Sequence, residues 1–227
     1  YADAAYQQEA SARVDHAYMA HNRVMPFEIH NYAHNNQWLV TSLSHVGRVR
    51  DASAVARNLI EQPRDPNKNG KNDGGSAQRS GRIRWAELLT RYELWDALIA
   101  ATASGDLDWS DVPAERKEKA YTLGLAYAAK GDGTKLGEQI GALKALQAKD
   151  SWAKKDAGVA SAIAELEGHD ALAKGDVGLA FERFAKATGM RPEALARAHL
   201  AARNYGLAES TAKAAVDKNP NQVPPLA

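Results

Sequence analysis

Histidines gather at the start of this chain. Five of the seven, His16, His21, His30, His34 and His45, fall within the first 45 residues. The spacing His30-x3-His34 places two imidazoles on one face of a helix, an arrangement that zinc and copper sites use. Two ligands do not complete a site, and a third would have to come from His16, His21, Glu28 or His45. No glutamate sits between the pair as in His-Glu-x-x-His, so the general base of a zinc protease is missing. The chain has no cysteine, which excludes disulfides, thiolate metal sites and cysteine nucleophiles. Three readings stay open for the histidines: a metal pair at His30 and His34, hydrogen bonds between helices, or the lining of a recognition surface.

A helical wheel over 26–45 sorts these residues. Tyr32, Asn36, Leu39, Leu43 and Val46 form one stripe suited to a core. His30, His34, Gln37, Trp38, Thr41 and His45 form a second, polar and aromatic, at spacings of three and four. An indole among adaptable hydrogen-bonding groups suits peptide recognition or the seating of a docked domain. Asn31, Asn35 and Asn36 add amides that are poor in helix interiors, because their side chains compete for backbone bonds. They predict polar contacts, either in the surface stripe or in a network bridging the first two helices. Between Gln62 and Arg91, seven basic residues (Arg64, Lys68, Lys71, Arg79, Arg82, Arg84, Arg91) face only Asp65, Asp73 and Glu87. An anion or acidic-peptide site at Arg82 and Arg84 and a solvated linker are the two readings. No P-loop, no Gly-x-Gly-x-x-Gly after a strand and no Gly-x-Ser-x-Gly elbow occurs. Gly131-Asp132-Gly133 lacks the carboxylate ladder of a calcium loop and reads as a turn. We expect no enzyme and no cofactor.

The elements that carry these residues are helices. Of 227 residues 45 are alanine and three phenylalanine, a composition for closely packed helices rather than sheets. Lysine and arginine total 29 against 28 acidic residues, which argues against nucleic-acid binding by bulk charge. No apolar run approaches the ~20 residues of a membrane span. All eight prolines fall where a helical pattern starts or stops. The pattern predicts helices over 3–22, 26–45 and 49–61, and a resumption at Ile83, Trp85, Leu88 and Leu89. A turn at Tyr92-Glu93 and a helix over 94–102 follow, then further pairs after Pro113. That is about eleven helices and no strand. Composition divides the chain into 1–62, a Gly/Asn/Pro-rich loop over 63–81 expected to be the most mobile internal stretch, and 82–227. The chain opens at Tyr1 and stops at Val223-Pro224-Pro225-Leu226-Ala227. Proline-rich endings open helices, so both ends read as cut from a longer protein.

The helices repeat. With Gly131-Asp132 set on Gly175-Asp176, Gly124 falls on Gly168, Leu136 on Ala180, Ile140 on Phe184 and Leu143 on Ala187. Gly47-Arg48 carries Ala52, Ala56 and Leu59 at the same offsets, Trp95-Asp96-Ala97 occupies another such slot, and Ala208, Ala212 and Ala215 another. The run Gly168 … Gly175-Asp176 … Ala180-x3-Phe184-x2-Ala187-x4-Pro192, with Leu123-Gly124-x2-Tyr127 before it, resembles the tetratricopeptide repeat. The resemblance implies a right-handed superhelical stack of antiparallel helical hairpins. Its concave groove would be lined by the first helix of each pair and would bind a protein or peptide. In that register His30, His34, Gln37, Trp38, Thr41 and His45, with Arg82, are the expected groove residues. The equivalent faces further on offer Glu118, Tyr121 and Leu125, then Glu165 and His169. These do not match the lysines and asparagines with which some such repeats grip a chain terminus. The expected function is a non-catalytic interaction scaffold, its partner a protein, a peptide or a fused domain. The alternatives are a metal-binding or sensing module at His30/His34 and an accessory region of an enzyme whose catalytic domain lies elsewhere.

Overall fold

The computed structural model describes residues 1–65, 67 and 76–218, with only the backbone of His30. Among these residues there are eleven α-helices and no strand: α1 Ala2–Asn22, α2 His30–His45, α3 Val49–Glu61, α4 Ala77–Arg91, α5 Trp95–Ser104, α6 Pro113–Lys130, α7 Gly133–Lys149, α8 Ala157–Ala173, α9 Val177–Phe184, α10 Pro192–Ala201 and α11 Tyr205–Lys218. They form two compact units, Tyr1–Asp111 and Val112–Ala227. None is long and apolar enough to cross a membrane.

One backbone device recurs five times. Gly47, Glu93, Gly131, Gly175 and Arg203 sit in the left-handed region, with φ of 78°, 54°, 73°, 82° and 61°. In each case the next amide donates to the carbonyl five residues back: Arg48 to Leu43, Leu94 to Leu89, Asp132 to Tyr127, Asp176 to Ala171 and Asn204 to His199, at 2.8–3.0 Å. This six-to-one bond satisfies an orphan carbonyl of the ending helix. The same residue then starts the next helix, its carbonyl accepting from Ala52, Leu98, Leu136, Ala180 and Ala208. Asp132 and Asp176 add a side-chain cap, each Oδ1 accepting the amide three residues on at 3.0 Å.

The turns fix which residues meet. Four, eight and eleven positions after the cap come Ala52, Ala56 and Leu59, then Leu136, Ile140 and Leu143, then Ala180, Phe184 and Ala187, and all nine are buried. Seven positions before the turn residue come Val40, Ala86, Gly124, Gly168 and Ala196, again all buried. At Gly124 a β-carbon would lie 2.4 Å from Leu166 Cδ1, and at Gly168 2.4 Å from Phe184 Cε1. The next first helix, α8, presses on Gly124 and the second helix, α9, on Gly168, so closely that only glycine fits.

Two boundaries differ from the pattern. Residues 26–28 form a 3-10 turn in which Glu28 accepts the Met25 amide at 2.8 Å, and Ile29 is extended, so α2 starts at His30. Helix α4 starts at Ala77, inside the stretch expected to be loop, because Ser76 caps it by accepting the Arg79 amide at 3.1 Å. Ala77, Gln78 and Gly81 are buried, so this small and polar run is packed structure. The rest of the expected mobile loop falls mostly at residue 66 and residues 68–75, outside the described residues.

Candidate interaction face on the first helices

In the first unit, α2 and α4 are the first helices of successive hairpins and pack side by side. The core stripe of α2 is Tyr32, Asn36, Leu39 and Leu43, all buried; Val46, expected with them, is exposed because it lies past the last turn of the helix. Trp38 stands on the outer side, 44% exposed. The Arg84 guanidinium from α4 lies 5.6 Å from the centre of the indole and is held by Glu87 at 2.8 Å. Such a stacked cation contributes about 0.5–1 kcal/mol at an exposed site. His34, also exposed, meets the indole edge-on with ring centres 6.3 Å apart.

One turn further along, Thr41 Oγ1 donates to the Gln37 carbonyl at 3.2 Å, and His45 Nδ1 donates to the Thr41 carbonyl at 2.8 Å. The His45 ring stacks on Tyr1 at 3.9 Å. Burial pushes its pKa down, and the positive charges of Arg91 and the amino terminus push the same way against the Thr41 hydrogen bond. The lowering favours the neutral ring, in which Nδ1 carries the proton given to Thr41 and Nε2 is the acceptor nitrogen. Tyr92 at the end of α4 donates to the Ser44 carbonyl, tying the two helices together. The structure thus brings His34, Trp38, Thr41 and His45 into one ridge, flanked by half-buried Gln37. His30 begins the same helix, and its side chain lies outside the described residues.

Arg82 is a correction. Its side chain is fully buried, with Nη1 4.0 Å from Asp108 Oδ2, and Arg64 also reaches Asp108. It falls on the buried stripe of Gln78, Trp85 and Leu89, so it anchors the loop after α5 and lines no open face. The asparagines divide as well. Asn35 Nδ2 donates to Ser11 Oγ at 2.8 Å and Asp15 Oδ2 at 3.1 Å on α1, and buried Asn36 donates to the Tyr32 carbonyl at 2.8 Å. These amides bridge and brace helices, while Asn31 is exposed. Among the described residues no three histidine, aspartate or glutamate side chains come together as a metal site.

In the second unit the same register does something different. Tyr121 on α6 donates to Glu165 Oε2 on α8 at 2.8 Å, and Glu165 is only 2% exposed. Burial pushes the Glu165 carboxyl up, against the phenol bond and the charge of Arg191; it pushes the Tyr121 hydroxyl up strongly, with the carboxylate adding to the effect. His169, one turn on and edge-on to Phe184 at 5.1 Å, is lowered to about 4 by burial. Sequence patterning put these residues on one kind of face and missed the bond between them. The signal was available: Tyr121 and Glu165 each stand three residues before the close-packed glycine, so neighbouring first helices present them to each other. Searched against protein families, curated proteins and solved structures, the chain matches none.

Proposed function

We propose that the chain is a non-catalytic interaction scaffold. Its hairpins are tetratricopeptide-like and stack within each unit in the right-handed sense, and the α2–α4 ridge receives a protein or peptide. The five matching turns and the buried slots at fixed offsets support the repeat. The observation that carries the function is Trp38: a large aromatic left 44% exposed between the first helices of two hairpins, oriented by His34 and Arg84. Exposed, preordered indoles of this kind are the usual anchors of interfaces.

The test is a peptide-display selection on the immobilised chain, repeated with Trp38→Ala. The selected peptides should lose about 2 kcal/mol of affinity on the variant, while its melting curve shifts little. Unchanged affinity, or a variant that unfolds, removes Trp38 from the interface.

A further inference from the structure

The turn that joins α7 to α8 is held by its own bonds. Asp150 Oδ1 accepts the amides of Trp152 and Ala153, both at 2.9 Å, and the Trp152 carbonyl accepts those of Lys155 and Asp156 at 3.0 Å. Asp156 Oδ1 then caps α8 by accepting the Gly158 amide at 2.6 Å. Ala153 is fully buried and pins the turn to the unit. The fixed backbone carries Trp152 outward, 41% exposed. Among the described residues between Leu94 and Val177, no other large apolar side chain stands so far out. Trp38 is oriented by His34 and Arg84, whereas the Trp152 ring meets no other ring and no cation among the described residues.

Lysines flank this indole. Lys149, Lys154 and Lys155 are all exposed, and the bond from Lys155 to the Trp152 carbonyl sets Lys155 one helical turn on, at the i+3 position. Lys117 of α6 ends beside the start of α8, its Nζ 3.1 Å from where a β-carbon of Gly158 would stand. Lys144 is paired with Glu167 at 2.6 Å, whereas Lys149, Lys154 and Lys155 make no ion pair among the described residues. The acids at the turn are Asp150 and Asp156, each with an oxygen committed to backbone amides. Four lysines thus stand against two carboxylates. A preordered, exposed indole anchors interfaces, and a surplus of one charge beside it selects the partner's sign. We propose that the α7–α8 turn recognises an acidic peptide segment of a partner protein, which sets an apolar side chain on Trp152 and carboxylates against Lys154 and Lys155. The 28 acidic residues that balance 29 basic ones over the chain oppose a long polyanion such as a nucleic acid, and one indole without an apolar neighbour is a small anchor for a bilayer.

A random peptide library selected on the immobilised full chain, then divided by rebinding to Trp152→Ala, tests this. Clones lost on that variant should carry aspartate or glutamate around an apolar residue, bind it about tenfold or more weakly, and weaken on the unmodified chain as salt is raised. Lys154→Glu combined with Lys155→Glu should lose the same clones, and synthetic copies with each carboxylate replaced by lysine should bind that double variant. If Trp152→Ala fails to fold by circular dichroism, the double variant, changed only at exposed positions, divides the pool instead. No clone that depends on the turn, or dependent clones without an excess of acid, overturns the proposal. Vesicles of phosphatidylcholine with phosphatidylserine, and single-stranded oligothymidylate, are titrated in parallel. Binding of either that depends on Trp152 and is tighter than that of the clones overturns the choice of a peptide. Clones that depend on Trp38 belong to the α2–α4 ridge, so each face stands or fails separately.

Discussion

The first helices of the two units share a register and treat polar chemistry in opposite ways. On α2 and α4 the ring of Trp38, the His34 imidazole and the Arg84 guanidinium meet at the surface. On α6 and α8 the positions of Trp38 and Arg84 are taken by buried Thr122 and Leu166, and the polar pair lies one residue earlier: Tyr121 and Glu165 bond to each other, and Glu165 is sealed off from water. The turns and the buried slots are the same in both. One difference lies in the buried slot seven residues before the turn, where Gly124 meets Leu166 of α8 and Gly168 meets Phe184 of α9. Gly124 and Gly168 stand in the second unit where Val40 and Ala86 stand in the first.

That account breaks most directly at the glycine. Gly168→Ala would put a β-carbon 2.4 Å from the Phe184 ring, and overpacking of this kind destabilises by about 1–3 kcal/mol. In the first unit, Gly81→Ala meets the Ala56 carbonyl oxygen at 2.7 Å and should act similarly. Gly141→Ala, with nothing within 4 Å on α7, should instead stabilise by about 0.5–1 kcal/mol, the helix-propensity difference. Denaturant titrations of the three variants measure this directly. Equal effects at Gly168 and Gly141 would mean that close approach does not govern the second unit.

The bond between α6 and α8 comes next. Tyr121→Phe removes the phenol proton and leaves Glu165 buried without it, at about 1–3 kcal/mol. The contrasting change in the first unit, Trp38→Ala, removes a half-exposed ring and its contact with the Arg84 cation and should lower stability by less than about 1 kcal/mol. Hydrogen exchange resolved by segment separates the two: protection should fall on α6 and α8 in the first variant and change little on α2 in the second.

Acid should test the buried histidine of the second unit. The folded pKa of His169 is about 4, well below the ~6.5 of an unfolded histidine. Between these values the unfolded chain binds the extra proton, so stability is full above pH 6.5 and is lost as pH falls toward 4. At pH 5.5 the loss is on the order of 1 kcal/mol. Glu165, raised by burial, acts with the opposite sign as it protonates. His169→Phe isolates the histidine, and its stability should fall less steeply with acid than that of the unmodified chain over this range.

Much of the scaffold was legible before any coordinates. Helix α3 runs over Val49–Glu61 as its periodicity requires, and the offsets after each Gly-Asp or Gly-Arg pair pick out residues that are buried. Those features are local, set by helical period and turn chemistry. Arg82 was not legible, because its partner Asp108 is 26 residues away in a loop that has no periodicity of its own. The α4 start was hidden by a run rich in Gly, Ser and Gln that reads as linker until its packing against α3 is seen. Asn35 and Asn36 were legible as polar requirements, with a bridge between the first two helices as one of two readings, and the bonds of Asn35 to Ser11 and Asp15 decide for the bridge at that residue.

The smallest effect concerns the device that both units share. At Gly47, Gly131 and Gly175 the left-handed turn is held by glycine, which enters it without steric penalty, whereas Arg203 adopts φ 61° with a side chain in place. A β-carbon in that conformation costs about 1 kcal/mol. Arg203→Gly therefore relieves strain, partly offset by the greater freedom of glycine in the unfolded chain, for a net gain of about 0.5 kcal/mol. Gly175→Ala is the inverse substitution in the neighbouring hairpin and should lose about as much, since open space around it leaves only the backbone term. Opposite and similar changes in the denaturant midpoint would identify the turn as one repeated element whose energy depends on a single residue type. A loss at Arg203→Gly would mean instead that the arginine side chain contributes more to the last hairpin than its turn conformation takes away.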